Sequence, residues 1–239
     1  KYKSDAKVFL RYLGEGREAG KGDILAYKEW LVSRYAVSSV NSMLAAMNQF
    51  LIFLGHRELT VKPVKVQRRL FLREDRELNS AEYRKLVRAA KKEGKEQLAL
   101  WMETIAATGI RISELQFFTV ERVKTGKIEV VNKGKYRKIF LTGDIRKKLL
   151  EFSRKMGIRS GQIFITRTGR PKDRSNLWKE MKRLKEKAGV CAGKIFPHNL
   201  RHLFARIYYN SSKDLAGLAD LLGHSSLNVT RIYTSNTGK

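Results

Sequence analysis

The chain has 239 residues, 42% of them hydrophobic, with 3 prolines and 18 glycines. That is enough apolar material for one large or two ordinary domains, and it excludes a disordered or low-complexity chain. Lys and Arg number 50 against 23 Asp and Glu, a formal net charge of +27. This is far more than solubility requires, so a polyanionic partner such as DNA or RNA is the first inference.

No 18-residue apolar run is present to span a bilayer, and no signal peptide is recognisable. The single Cys191 excludes an internal disulfide and a cysteine-rich zinc module. An intracellular protein is expected. The charge excess is spread along the chain, with a net +7 in residues 1–72 and +20 in the remainder.

The amino-terminal part reads as a small helical bundle. Residues 4–13 place Ala6, Phe9, Leu10 and Leu13 on one helical stripe, ended by the glycine-rich stretch Gly14 to Gly22. Asp23 is a candidate cap for a second helix with Ile24, Tyr27, Leu31 and Tyr35 at helical spacing. Ser38 or Ser39 is placed to cap a third, whose buried face is Val40, Leu44, Met47, Leu51 and Leu54, with Gly55 as its stop. Residues 60–76 then read as a basic linker broken by Pro63 and carrying Lys62, Lys65, Arg68, Arg69 and Arg73. Such a connector suits either a clamp on a duplex or an ordinary exposed linker.

The carboxy-terminal part mixes helices with one short sheet. Asn79 or Ser80, followed by Glu82, marks a helix start. The next helix carries Leu98, Trp101, Met102, Ile105 and Ala106, and after Gly109 a short helix begins at Arg111, with Glu114 one turn on. KIEVV and RKIFLT flank Asn132, Lys133, Gly134 and Lys135 and predict an antiparallel hairpin. By composition Lys133, Lys135 and Lys138 are equivalent as groove-reaching lysines. A helix over DIRKKLLEFSRKMG follows, then an extended piece IFITRTGR turning through Gly169, Arg170 and Pro171. A single helix over SNLWKEMKRLKEKAG comes next, with Leu177, Met181 and Leu184 inward and Lys179, Lys182, Arg183, Lys185 and Lys187 outward.

The last stretch concentrates the chemistry. Pro197 and His198 open a helix on which Arg201 and His202 share a face with His198. A helix ending at Gly223 releases His224 into a turn, and Ser225 or Ser226 caps the piece bearing Tyr233. Guanidinium forks neutralise non-bridging phosphate oxygens, imidazoles share protons, and a phenol attacks phosphorus. The HxxxH spacing of His198 and His202 suits two zinc ligands, but Asn199 stands where the metalloprotease motif needs Glu, so no metal is expected.

Taken in order, ATGIRISEL, VVNKGKYRKIFLT, PHNLRH and LLGHSSLNVTRIYT resemble the tyrosine recombinase and phage-type integrase family over nearly the whole chain. The resemblance implies a mainly α fold: an all-helical core-binding domain with its basic linker at 1–72, and a mixed α/β catalytic domain with a small antiparallel sheet at 73–239. It implies that Arg111 and Arg201 are the catalytic arginines and Glu114 the acid supporting the first. Lys133 becomes the hairpin general acid, with Lys135 as fallback. His198 opens the His-x-x-Arg motif, His224 bonds the scissile phosphate, His202 supports the site, and Tyr233 is the nucleophile.

Lys62, Lys65, Arg68, Arg69, Lys135, Arg170 and Lys182 are candidate DNA contacts. Relatives often carry an arm-binding domain ahead of the core-binding one and a docking tail after the tyrosine. Neither is expected within these residues.

The implied function is site-specific DNA recombination through a 3′-phosphotyrosyl intermediate, for integration or excision of a mobile element. The implied partner is double-stranded DNA carrying recombination sites, with a dimer per site, a homotetramer on two duplexes and accessory DNA-bending proteins. The expected location is on DNA in the cytoplasm of a prokaryote. No cofactor is expected, because arginines and lysine fill the electrostatic role that a metal would take. The rivals are a type IB topoisomerase-like enzyme and a binding-only, decayed recombinase.

Overall fold

The computed structural model describes residues 2–14, 16, 18–65, 76–132, 135–224 and 226–233. The chain divides into two compact units, Lys1–Arg68 and Arg69–Lys239. The sequence-based boundary at 72/73 and this one both fall among residues 66–75, outside the described residues. No helix among the described residues is long and apolar enough to cross a membrane.

The first unit holds α1 (Tyr2–Leu13), α2 (Lys21–Arg34) and α3 (Val37–Phe53). Their core is Phe9, Ile24, Tyr27, Leu31, Val40, Leu44, Met47 and Leu51, all nearly inaccessible to water. Each such side chain contributes about 1.5–3 kcal/mol on burial. Leu10, Tyr35 and Leu54 were expected in this core but are exposed. α1 turns Val8 and Tyr12 inward beside Phe9 and the expected Leu13, and Tyr35 and Leu54 fall just past the ends of α2 and α3.

Helix starts also differ from expectation. α2 begins after Gly20, and Asp23 sits in its first turn, where its carboxylate accepts from the Gly20 amide at 2.9 Å. α3 begins after Ala36, so Ser38 and Ser39 lie inside its first turn.

Two asparagines of α3 hold the segment that leaves the bundle. Asn48 donates to Val61 O (2.8 Å) and accepts from Val61 N (3.1 Å). Asn41 does the same with Val64 (2.9 and 2.8 Å). Each amide thus satisfies one backbone donor and one acceptor of a segment that has no strand to pair with.

The second unit opens on α4 (Ser80–Lys92), capped by Asn79, whose side chain accepts from Glu82 N while Glu82 accepts from Asn79 N. α5 (Glu96–Thr108) packs against α4 and later helices, with Leu98, Trp101, Met102 and Ile105 fully buried. A 3-10 turn (Ile112–Phe117) and α6 (Val120–Thr125) lead to an antiparallel pair, β1 (Lys127–Asn132) and β2 (Lys135–Phe140). Along these strands Ile128, Val130, Arg137 and Ile139 face inward, while Glu129, Val131, Tyr136 and Lys138 face water.

α7 (Gly143–Lys155) follows. The extended piece after it forms isolated bridges, Thr119 with Gln162 and Ile165 with Pro171, instead of a strand. The helix expected over Ser175 to Gly189 is two, α8 (Arg174–Lys182) and α9 (Lys185–Ala188), with Leu177, Met181 and Leu184 buried as the spacing predicts. α10 (Pro197–Ser212), α11 (Leu215–Leu222), α12 (Leu227–Thr230) and a 3-10 turn (Arg231–Tyr233) complete the described chain. The helical architecture with one small antiparallel sheet is the fold class the sequence led us to expect.

Gly109 ends α5 at φ +63°, and a Cβ there would lie 2.3 Å from Cδ1 of Phe204 on α10. Gly94 has a similar φ of +66° but open space around it. Gly109→Ala should therefore lower unfolding stability by roughly 2–4 kcal/mol, and Gly94→Ala by only about 1 kcal/mol. Urea titrations of the two variants test the difference; equal losses would show that α10 is free to yield.

Candidate functional site

Helix α11 ends in three carbonyls that no later turn can pair. Each accepts from a different arginine. Arg137 donates to Leu221 O. Arg201 donates to Leu222 O at 2.6 Å, and Arg111 to Gly223 O at 3.2 Å. These arginines come from β2, α10 and the start of the 3-10 turn after α5. The negative end of the α11 dipole favours all three.

One carboxylate serves this group. Glu114 is fully buried. Its Oε1 accepts from Arg111 Nη1 at 3.2 Å, and its Oε2 from the Arg111 amide at 2.7 Å and from Arg137. Arg201 is 1% exposed. It also donates to Gly109 O at 2.6 Å and lies 3.2 Å from His224 Nε2. Burial, then Arg111 and Arg137, hold its guanidinium below the ordinary arginine value. The buried Nε of Arg201 and of Arg137 has no hydrogen-bond partner.

His224 follows the turn at Gly223. Its Nδ1 lies 2.8 Å from the Thr230 hydroxyl on α12. Burial, then Arg201, Arg111, His198 and Arg137, push its pKa down to about 4. His198 and His202 meet edge to face with ring centroids 4.4 Å apart, as their i and i+4 positions on α10 dictate. His198 is exposed at the helix start. Loss of water on its inner flank, then Arg201 and Arg111, lower its pKa. His202 is lowered to about 3 by burial and then by His198, Arg206, Arg201 and His224.

Tyr233 is 3% exposed. Its hydroxyl and His202 Nδ1 share a 2.6 Å hydrogen bond. Burial raises its pKa to about 12, against the pull of Arg201 and Arg206 and with the push of Glu77. The phenol is therefore protonated and held at neutral pH.

Arg111, Glu114, His198, Arg201, His202, His224 and Tyr233 are thus one cluster. It borders an open groove of about 1320 Å³ lined by Arg111, Tyr136, Arg137, Lys138, Phe140 and His224, among others. Lys133 lies outside the described residues, as do Arg68 and Arg69. Lys135 is the first residue of β2. Lys62 and Lys65 are exposed on the first unit. Arg170 is exposed in a turn closed by its hydrogen bonds to Thr166, and Lys182 is exposed at the end of α8, 4.8 Å from the centre of the Trp178 ring. Among the described residues no group of three or more His, Cys, Asp or Glu side chains converges on a metal position.

The phage integrase family model matches residues 76–239, more than half of the sequence. The chain belongs to the phage integrase family. Tyrosine recombinase XerC of Lactobacillus delbrueckii subsp. bulgaricus is 36% identical to this integrase-family chain over 138 residues, 54% of it and 46% of the relative, so that match spans about half of the curated protein. Tyrosine recombinase XerC of Herpetosiphon aurantiacus is 29% identical over 262 aligned residues, covering 98% of this chain and 82% of the relative. In fold, a lambda integrase tetramer bound to a Holliday junction superposes with a TM-score of 0.75 at 20% identity, over 100% of this chain and 72% of that one.

Sequence reasoning passed over two members of this integrase-family cluster, Arg137 and Thr230. Arg137 had a readable signal. It shares parity with Ile139 in a strand of alternating exposure, so a guanidinium on the buried face should have stood out. Thr230 had none, because its partner is six residues away across a turn. Glu77 and Arg206 form a further ion pair beside this cluster.

Two outcomes follow from these contacts. Arg137→Met leaves Leu221 O without its donor and Glu114 with one guanidinium fewer, and should cost about 3–5 kcal/mol of unfolding stability by urea titration. A loss under about 1 kcal/mol would show the arrangement to be replaceable. The second outcome concerns acid. His202 and His224 have folded values below the ordinary 6.5, so the unfolded chain binds more protons from about pH 6.5 downward. Their contribution is complete above pH 6.5 and is lost as pH falls toward 4, on the order of 1–2 kcal/mol for each by pH 5. Urea midpoints at pH 7.5 and 5.0 measure the drop, and His202→Asn should flatten it.

Proposed function

We propose that this chain is a tyrosine-type site-specific DNA recombinase that cuts and rejoins duplex DNA through a 3′-phosphotyrosyl intermediate. The observation that carries the reading is the charge balance of the cluster. Of three buried or half-buried guanidiniums, two, Arg111 and Arg137, share the carboxylate of Glu114, and Arg201 has no carboxylate partner among the described residues. Such an excess needs an anion, and a phosphodiester entering from the groove supplies one.

In this reading Arg111 and Arg201 hold the non-bridging oxygens as charge builds on them, with His198 and His224 as further donors. Glu114 orients Arg111. Tyr233 gives its proton to the neutral His202 Nδ1 that it bonds and attacks phosphorus. The 5′ oxygen departs with a proton from Lys133, or from Lys135 if that residue is the one in reach. The phosphotyrosyl bond retains the energy of the one broken. A 5′ hydroxyl from a second duplex then reverses the step and completes exchange.

Lys62, Lys65, Arg68, Arg69, Lys135, Arg170 and Lys182 are read as contacts to DNA backbone. The units at 1–72 and 73–239 act as core-binding and catalytic domains closing on the duplex. A dimer per site and a tetramer on two duplexes follow by analogy with the lambda integrase tetramer, and accessory bending proteins and a role in moving an element between sites belong to the same reading.

A covalent trap tests it. The chain and its Tyr233→Phe variant are incubated with candidate site DNA nicked beside the cleavage position, so that the short fragment escapes and religation fails. A denaturant-stable adduct mapping to Tyr233, absent in the variant, is the expected result. Exchange between two labelled duplexes then separates recombination from relaxation of one duplex. Tight, specific binding with no adduct would favour the binding-only alternative.

A further inference from the structure

We infer that Thr230 is a positioning residue for His224, keeping its Nδ1 partnered in either neutral tautomer so that Nε2 is able to turn from acceptor to donor when a phosphate enters. The inference rests on the proposed recombinase reading for its use, but its chemistry is carried by the phosphate-free molecule.

A guanidinium has only N–H groups to offer. At 3.2 Å from Arg201 Nη2, His224 Nε2 is therefore the acceptor and carries no proton. The ring is neutral at pH 7, since its surroundings lower its pKa. Its single proton is on Nδ1, and Nδ1–H donates to the Thr230 hydroxyl at 2.8 Å. The resting tautomer is thus assigned by the two partners together.

That tautomer is wrong for binding a phosphate. An oxygen of a phosphodiester needs a donor, and a bare Nε2 repels it. When the phosphate draws Arg201 Nη2 toward itself, the ring has to place its one proton on Nε2. The net change is one proton lost from Nδ1 and one gained at Nε2, exchanged with water, with no change in charge. Nδ1 is then a bare acceptor in a buried setting.

A hydroxyl is suited to this reversal because it both accepts and donates. Thr230 is fully buried, so no water replaces it at Nδ1 without rearrangement. A backbone carbonyl in its place would hold the proton on Nδ1 permanently. The charged and titratable groups facing His224 are Arg201 and His198 of α10, Arg111 ahead of the 3-10 turn, and Arg137 of β2. The three arginines have only donors to offer, and the hydrogen bond of His224 Nδ1 goes to Thr230 and not to His198. Thr230 also ends α12, three residues before Tyr233, and ties the histidine to the segment that carries the nucleophile.

The tautomer is read directly by nitrogen NMR of histidine-labelled protein. The DNA-free chain should show His224 with its proton on Nδ1, assigned by its loss in His224→Asn. In Thr230→Val the Nδ1–H signature should give way to a mixture or to Nε2–H, while Thr230→Ser should restore it. On a nicked trapping substrate at saturating protein, Thr230→Val should slow adduct formation about 10- to 100-fold with DNA affinity within about threefold of the parent, and Thr230→Ser should recover most of the rate.

An Nε2–H resting tautomer in the parent overturns the inference. So does a Thr230→Val variant that reacts at the parental rate, or a Thr230→Ser variant as slow as Val. If Thr230→Val does not fold, the parental tautomer and the serine variant still decide. A parent that forms no adduct at all counts against the recombinase reading, and the NMR assignment then stands or falls by itself.

Discussion

The second unit depends on how three like charges are kept in one place. Arg111, Arg137 and Arg201 bond successive carbonyls at the end of α11, and the first two share Glu114. Taking a guanidinium out of water costs several kcal/mol unless its donors are satisfied. Here the helix end accepts from each guanidinium without adding a full negative charge, although the Nε of Arg137 and of Arg201 is left without a partner. The cluster is held in position and still keeps a net positive balance toward the groove.

The same arrangement explains why the neighbouring groups are neutral. An imidazole close to several guanidiniums and partly removed from water holds its proton weakly, and His198, His202 and His224 all shift in that direction. The phenol of Tyr233 moves the opposite way, because burial outweighs the cations near it. The resting molecule therefore holds a protonated phenol against a neutral histidine. In the proposed chemistry, the entering phosphate and the transfer of the Tyr233 proton to His202 change both conditions together.

The fold serves this cluster from separate parts of the chain. Gly109, at the end of α5, leaves room for Phe204 of α10 and presents its carbonyl to Arg201. The alternation of β2 turns Arg137 inward beneath the turn that carries His224. The ending of α11 at Gly223 aligns the carbonyls and releases His224 toward Thr230. Residues more than a hundred positions apart in sequence are in this way fixed to within a hydrogen bond of each other.

Much of this was legible in the residues alone. The mixed helical class, the hairpin, the capping of α4 by Asn79 and the buried stripes of α3 and α5 follow from local periodicity and cap chemistry, which depend on neighbours within one or two turns. The set of Arg111, Glu114, His198, Arg201, His202, His224 and Tyr233 was legible because its order and spacing resemble a known family. Helix limits were less so. Leu10 fits the spacing but faces water, since the direction of a stripe is decided by what packs against it, and Leu54 falls just past the end of α3. Only the tertiary structure decided that Arg137 joins the cluster, that Glu114 serves two arginines, and that Thr230 bonds His224. These are contacts across turns and between strands and helices, and a linear chain carries no local preference that specifies them.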